Sequence, residues 1–321
     1  MIKKIITLAF CIMFSGMFFS GSLIAQDSYP SKPIKVIVPY GAGGGTDSHT
    51  RMLQKTIEKY LPVPLVIVNM GGGAGSIGSR EVLNADPDGY TMLINLVNIW
   101  TANFLGTADF GPFDLEPIAE GGRFYLIEMG NPKASWNNLA EYAAAAKATP
   151  GDITEATNIG AITHFTTLGL QEATGAQFNI VHIGDGAQRI SNLLGGHIDG
   201  TIMGTHEAKR FIETGEMKAL AVFADEKLPG FENVPTTVEL GIDWVQAVPF
   251  WFFFPPGTPQ ESVDYMADVL NKTMNDPELK SLLIDMGKIP TFKAGEELDE
   301  VIREEGKKLQ AIATKYDLKK N

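Results

Sequence analysis

Cysteine is almost absent from this chain. Cys11 is the only one in 321 residues, so disulfide scaffolding and thiolate chemistry are excluded beyond the N-terminal segment. Histidine is scarce as well. His49, His164, His182, His197 and His206 form no H-x-x-x-H or H-x-H pair, so no local metal-ligand spacing exists. Gly75-Ser76-Ile77-Gly78 is not the G-x-S-x-G spacing of a nucleophile elbow. Positive charge is in deficit: 26 Lys and Arg stand against 38 Asp and Glu, for a net charge of -12. A chain this acidic is a poor partner for nucleic acid or an anionic membrane. It can still hold an anion, because charges beyond a Debye length of about 8 Å are largely screened. Low-complexity segments and short repeats are absent.

The one long apolar run is N-terminal. Lys3 and Lys4 precede residues 5–19, which are almost wholly apolar, and small residues lead to Ala25. A run of about 15 residues is short for a bilayer span of roughly 20. The order is that of a secretory signal peptide, with cleavage expected before Gln26. Phe10 before Cys11 argues against a lipoprotein site. Residues 248–256 are also very apolar, but the run is short and ends in Pro255-Pro256. Roughly 295 residues remain after cleavage, enough for two domains. Losing Lys3 and Lys4 takes the charge from -12 to -14. The expected product is a soluble periplasmic protein.

The remainder alternates between strand and helix patterns. Strands are expected at 34–38, 65–68 and 90–95, with helices at 48–60 and 76–84. The pattern restarts with strands at 125–129, 153–157, 179–182, 198–203 and 220–223. Helices at 139–148, 164–173, 187–194 and 207–213 separate them. Beyond Pro256 the chain reads as helices, including 262–274 and 298–316, with one short strand at 289–292. Such alternation implies parallel α/β sheets. Two units with crossovers near 124 and 247 imply two α/β lobes with a ligand cleft between them. Residues 26–124 would form the first part of lobe 1, 125–246 lobe 2, and 247–321 the return to lobe 1. Ligands bind at the carboxyl ends of strands in such sheets.

Two glycine-rich loops fall at those strand ends. The first is Pro39-Tyr40-Gly41-Ala42-Gly43-Gly44-Gly45-Thr46-Asp47. Its glycines let backbone N–H groups approach a ligand. Thr46 is a candidate N-cap, and the following helix start offers unpaired N–H groups to an anion. Asp47 suits either the helix dipole or a polar ligand group. The second loop contains Gly73-Ala74-Gly75-Ser76-Ile77-Gly78, which fits G-x-G-x-x-G. The acidic residue that should end the next strand is missing, since that strand ends near Asn95. A packing role or contact with the ligand is favoured over a dinucleotide, and no cofactor or metal is expected.

Several ordered blocks bear a family likeness. They are Tyr29-Pro30-Ser31-Lys32-Pro33-Ile34, the first glycine loop from Val38, and Asn69 with Gly72, Gly73, Ala74, Gly75 and Gly78. Further along come Pro87-Asp88-Gly89-Tyr90-Thr91, Leu193-Leu194-Gly195-Gly196-His197-Ile198-Asp199, Val234-Pro235-Thr236-Thr237 and Pro256-Gly257-Thr258-Pro259. Together they resemble the tripartite tricarboxylate transporter receptors, the Bug family. The resemblance implies a type II periplasmic-binding fold that closes around a small carboxylate and delivers it to membrane permease subunits.

It also implies ligand positions: Tyr40, Ala42, Gly43, Gly44, Gly45, Thr46 and Asp47; Asn95 and Asn98; Thr157, Asn158, Thr163 and His164; and Asp185. Backbone N–H groups, rather than an arginine, would hold the carboxylate, as neither glycine loop contains Lys or Arg. Ala161 replaces a serine of the family pattern. Gly184 stands at a lysine position, and Asp185 adds a negative charge. These departures favour a monocarboxylate, a hydroxy acid or an amine-bearing ligand over citrate. Trp100 and Phe104 are candidates for aromatic ligand surface or for core. The expected protein is a monomeric binding protein and not an enzyme. The alternatives are a ligand-sensing partner of a membrane sensor and an exported α/β enzyme.

Overall fold

The computed structural model describes residues 29–184 and 186–319. The expected signal segment and Asp185 lie outside the described residues. Strand β1 (Ile34–Val38) leads through the first glycine loop into α1 (Gly45–Ile57), and β2 (Leu65–Asn69) leads through the second into α2 (Ser76–Leu83). Then come β3 (Thr91–Asn95) and α3 (Asn98–Phe104). Strand β1 pairs in parallel with both β2 and β3. Ile34, Val36, Ile37 and Val38 are buried, so β1 is apolar nearly throughout, as a strand covered on both faces must be.

Strand β4 (Glu116–Gly130) carries the chain out of this unit. Four more elements follow: α4 (Leu139–Ala148), β5 (Thr154–Thr157), α5 (Ile162–Thr174) and β6 (Asn179–His182). After them come α6 (Gly186–Gly195), β7 (Gly200–Gly204), α7 (Thr205–Glu213) and β8 (Lys218–Val222). Strand β5 pairs in parallel with β6 and β7. The chain returns on β9 (Ala247–Phe254) and finishes with α8 (Gln260–Met274), α9 (Pro277–Asp285), β10 (Ile289–Ala294) and α10 (Gly295–Lys315). The architecture is mixed α/β and bilobed, as the alternation implies.

The first crossover strand starts earlier than the sequence implies. Instead of a strand beginning at 125, β4 is continuous across 15 residues and belongs to both sheets. Its first part pairs with β9 and β10, and its last part with β7 and β8. The stretch Ala119-Glu120-Gly121-Gly122-Arg123 has little β propensity, and it is held by tertiary contacts. Glu120 is fully buried, and Arg123 donates to both its oxygens at 2.6 and 2.8 Å. Pairing with β9 slips between Glu120 and Arg123, where Gly122 has φ +88°. This is a glycine bulge in the strand that joins the lobes, flanked there by β9 and β10. Residues 248–254 are apolar because β9 runs through the centre of the molecule, with Val248 and Phe250 to Phe254 all buried.

The C-terminal helices do not pack on one lobe alone. Helix α9 is tied to the first lobe by Lys59 and its N-cap Asp276 at 3.1 Å. Helix α10 accepts the Trp100 indole N–H at Ile302 O (3.0 Å), and just beyond its end Tyr316 Oη donates to Glu172 of α5 at 2.8 Å. Among the described residues no helix is long and apolar enough to cross a membrane.

Candidate functional site

A cavity of about 280 Å³ opens where the strand ends of the two lobes face each other. Its floor is the β4–β9 ribbon. Period-two alternation turns Phe124 and Leu126 of β4 and Val248 and Phe250 of β9 to this side. Tyr40, Gly45, Thr46 and Asn98 enter from the first lobe, and Thr163, Arg189, His206 and Glu207 from the second.

The first glycine loop is built to expose a helix start. The N-cap is Gly44, not Thr46, and no side chain caps it. Thr46 is instead buried in the first turn. Asp47 is a brace. Its buried carboxylate accepts the Gly43 N–H at 2.8 Å, the Arg51 Nε–H at 3.1 Å and the Asn69 amide at 3.0 Å. The Arg51 hydrogen bond is the largest cause holding its pKa below the usual carboxylate value. The Gly43 N–H is therefore occupied within the loop, and the helix start at Gly45 and Thr46 is what reaches the cavity. Asp47→Ala is expected to lower unfolding stability by about 1–2 kcal/mol, since the Arg51 partner is half exposed. Urea denaturation checks this.

Other expected residues act by positioning their neighbours. Asn95 is buried, accepts the Tyr40 Oη–H and the Leu96 N–H at 2.7 Å each, and donates to Ser79 at 2.9 Å. Burial raises the Tyr40 pKa. Thr157 is fully buried and hydrogen-bonds Thr163 Oγ1 at 2.8 Å, setting a hydroxyl that lines the cavity. His164 Nδ1 accepts the Gly160 N–H at 3.3 Å, and burial lowers its pKa, so the ring is a neutral fastener of its own loop. The Asn158 carbonyl accepts the Ala161 N–H at 2.9 Å. Ala42, Gly43 and Gly44 are exposed and do not line the cavity; neither do Asn95, Thr157, Asn158, His164 or Asp47.

The G-x-G-x-x-G motif serves packing. A Cβ on Gly78 would lie 2.7 Å from Met70 O and 3.0 Å from Pro39, and one on Gly75 would meet the Tyr40 ring. Trp100 stacks on Phe104 at 5.3 Å under α10, away from the cavity.

The structure adds three polar groups that the sequence did not place at the site. Arg189, in the first turn of α6, is buried and donates Nη1–H to the Ile183 and Gly184 carbonyls at 2.9 and 3.3 Å. A cationic side chain is thus present in the cavity even though the glycine loops contain none. Glu207 Oε2 accepts the Gly204 N–H at 3.1 Å and closes the start of α7. His206 packs edge-on to Phe124 at 4.6 Å, with Nδ1 buried and unpartnered. Burial first, then the Lys288 charge, pushes its pKa down to about 3, so the ring is neutral. Lys288 is itself buried under the floor, 5.4 Å from the Phe250 ring centre, and burial lowers its pKa to about 8. Across the cavity Asn98 Oδ1 is likewise buried without a partner. Two residues that each carry an unpartnered buried polar atom, one from each lobe, therefore line the same space, and buried polar groups are seldom left unpaired.

The tripartite tricarboxylate transporter family receptor model matches residues 49–318. The chain belongs to this receptor family. Protein BugT of Bordetella pertussis is 30% identical over 305 residues, covering 89% of the receptor and 93% of BugT. The ligand-free crystal structure of a TctC solute-binding protein from Polaromonas superimposes with a TM-score of 0.79 at 30% identity, covering 90% of the receptor and all of that chain. The structure of the periplasmic binding protein BugD gives a TM-score of 0.77 at 27% identity, covering 91% and 100%. The family is one of periplasmic solute-binding receptors. Among the described residues no cluster of three His, Cys, Asp or Glu could hold a metal ion.

Proposed function

We propose that the receptor captures a small carboxylate that also bears a hydroxyl or an amine, and passes it to the membrane permease subunits of a tripartite transporter. The single observation that carries this is that Asn98 and His206, each with an unpartnered buried polar atom, line opposite sides of a cavity that also contains Arg189. A carboxylate would accept from Arg189, from the Thr163 hydroxyl and from the first-turn N–H groups of α1, with the Asn98 amide turned to donate. Glu207 would take the ligand's donor. Among the described residues that line the cavity, one cation, Arg189, and one carboxylate, Glu207, disfavour a tricarboxylate, whose extra charges would be desolvated without partners.

In this account residues 26–124 and 247–321 form one lobe and 125–246 the other. The signal peptide is removed near Ala25, and the receptor works as a periplasmic monomer by binding without turnover. Hinge bending would occur at the Gly121-Gly122 bulge.

A thermal-shift screen with lactate, malate, succinate, citrate, glycine and glutamate tests the proposal. A ligand at 100 times its Kd adds about 2.7 kcal/mol, which raises Tm by several degrees. Hydroxy or amino monocarboxylates should head the ranking. Citrate at the head, or no response to any carboxylate, would overturn it. Gly204→Ala gives a second check. Its Cβ would lie 2.5 Å from the His206 ring, so the ring must leave, and affinity should fall about tenfold in calorimetry.

A further inference from the structure

The reverse face of the β4–β9 ribbon carries a second cavity, of about 520 Å³. The same alternation that sends Phe124 and Phe250 forward sends Arg123, Tyr125, Pro249 and Trp251 backward into it. The second lobe adds Asp225, Asp243 and Trp244, and α10 adds Glu304, Glu305 and Lys308.

Its charges do not balance. Arg123 is committed to buried Glu120, and Lys308 pairs with Glu305 at 2.7 Å and the Val245 carbonyl at 2.9 Å. Asp225, Asp243 and Glu304 form no ion pair among the described residues, so three carboxylates border the space without a counter-charge. A second observation is independent of charge. Trp251 is fully buried and lines the cavity, yet its indole N–H has no partner. The indole Nε1 of Trp244 is likewise unpartnered. Buried donors of this kind call for an acceptor.

We infer that this cavity is a second ligand site, for a small organic cation that also carries a neutral hydrogen-bond acceptor. The ammonium would sit among Asp225, Asp243 and Glu304 and beside the Tyr125 phenol ring, which attracts cations. The acceptor would take an indole N–H.

The test is titration of the full-length mature receptor with glycinamide, followed by the four indole N–H resonances in nitrogen-15 correlation spectra. The Trp251 and Trp244 signals should move along one saturable curve, while those of Trp100 and Trp136 stay. The double variant Asp243→Asn, Glu304→Gln changes two exposed side chains and should weaken glycinamide about tenfold or more. Acetamide, which lacks the charge, and methylammonium, which lacks the acceptor, should each bind at least tenfold more weakly. No saturable shift of Trp251, equal affinity in the double variant, or acetamide binding as well as glycinamide would overturn the inference.

Discussion

Replacing Arg189 by methionine is expected to weaken carboxylate binding about a hundredfold while leaving a folded protein. The side chain is buried at the mouth of α6, where water competes poorly for its donors. Loss of a charge-assisted bond costs roughly 1.5–3 kcal/mol, and loss of one partner of a buried charge pair about 2–5 kcal/mol. Together these place the effect near two orders of magnitude. Arg189→Lys should fall between the two, because a lysine keeps the charge without the planar fork. Since Arg189 also holds the Ile183 and Gly184 carbonyls, some of the loss in the methionine variant will come from a loosened loop. The lysine variant separates charge from shape. Calorimetry with the best ligand from the screen measures both. Affinity within twofold of the unmodified receptor in Arg189→Met would remove the arginine from the site.

The second large effect lies in the core of the second lobe. Glu128 of β4 and Glu155 of β5 are both fully buried and within hydrogen-bonding reach of each other. Tyr142 Oη donates to Glu155 at 2.7 Å, while both oxygens of Glu128 and the other oxygen of Glu155 lack a partner of ordinary geometry. Burial drives both pKa values up, and the Arg189 charge partly offsets this at Glu155. A proton shared between the carboxyls satisfies the arrangement. The unfolded chain releases those protons near the ordinary value of 4.5, so the folded state binds more protons above that pH. Stability is therefore fully present below pH 4.5 and is lost as pH rises through the raised folded values. Glu128→Gln removes one charge and supplies a donor to Glu155. It should raise stability at pH 8 by on the order of 2 kcal/mol and flatten the decline. Urea midpoints from pH 5 to 9 decide this. A parallel decline in both proteins would mean that the pair does not govern it.

The sequence revealed much of this molecule because its strongest local signals are also its architectural ones. Residues 34–38 form a short β-branched run, and the glycines beyond them mark a strand end and an uncapped helix start, which is how β1 and α1 are built. The crossover strand was harder to see. Ala119 to Arg123 has a loop composition and becomes strand only because β9, β10 and a buried Glu120–Arg123 pair enclose it.

The second lobe's contribution was obscured in another way. Arg189 in an amphipathic helix resembles a solvated face residue, and His206 has no sequence neighbour that suggests chemistry. Both nevertheless stand in the first turn of a helix that follows a parallel strand, α6 after β6 and α7 after β7. Applying the strand-end rule to those junctions as strictly as to the glycine loops would have found them. Conversely, Asp47, Asn95 and His164 sit at such ends and spend their polar atoms on holding loops in shape. Location at a strand end identifies the neighbourhood, and the hydrogen bonds show which polar atoms already hold a loop.

The central claim is that one ligand is gripped from both lobes. Nuclear magnetic resonance titration of the receptor with the best carboxylate from the screen tests it directly, observing the Asn98 side-chain amide and the His206 ring nitrogens together. The account predicts that both sets of resonances move along the same saturation curve, with the His206 pKa rising from its low free value as an anion arrives. Saturable binding that moves only one of the two, or neither, would contradict it.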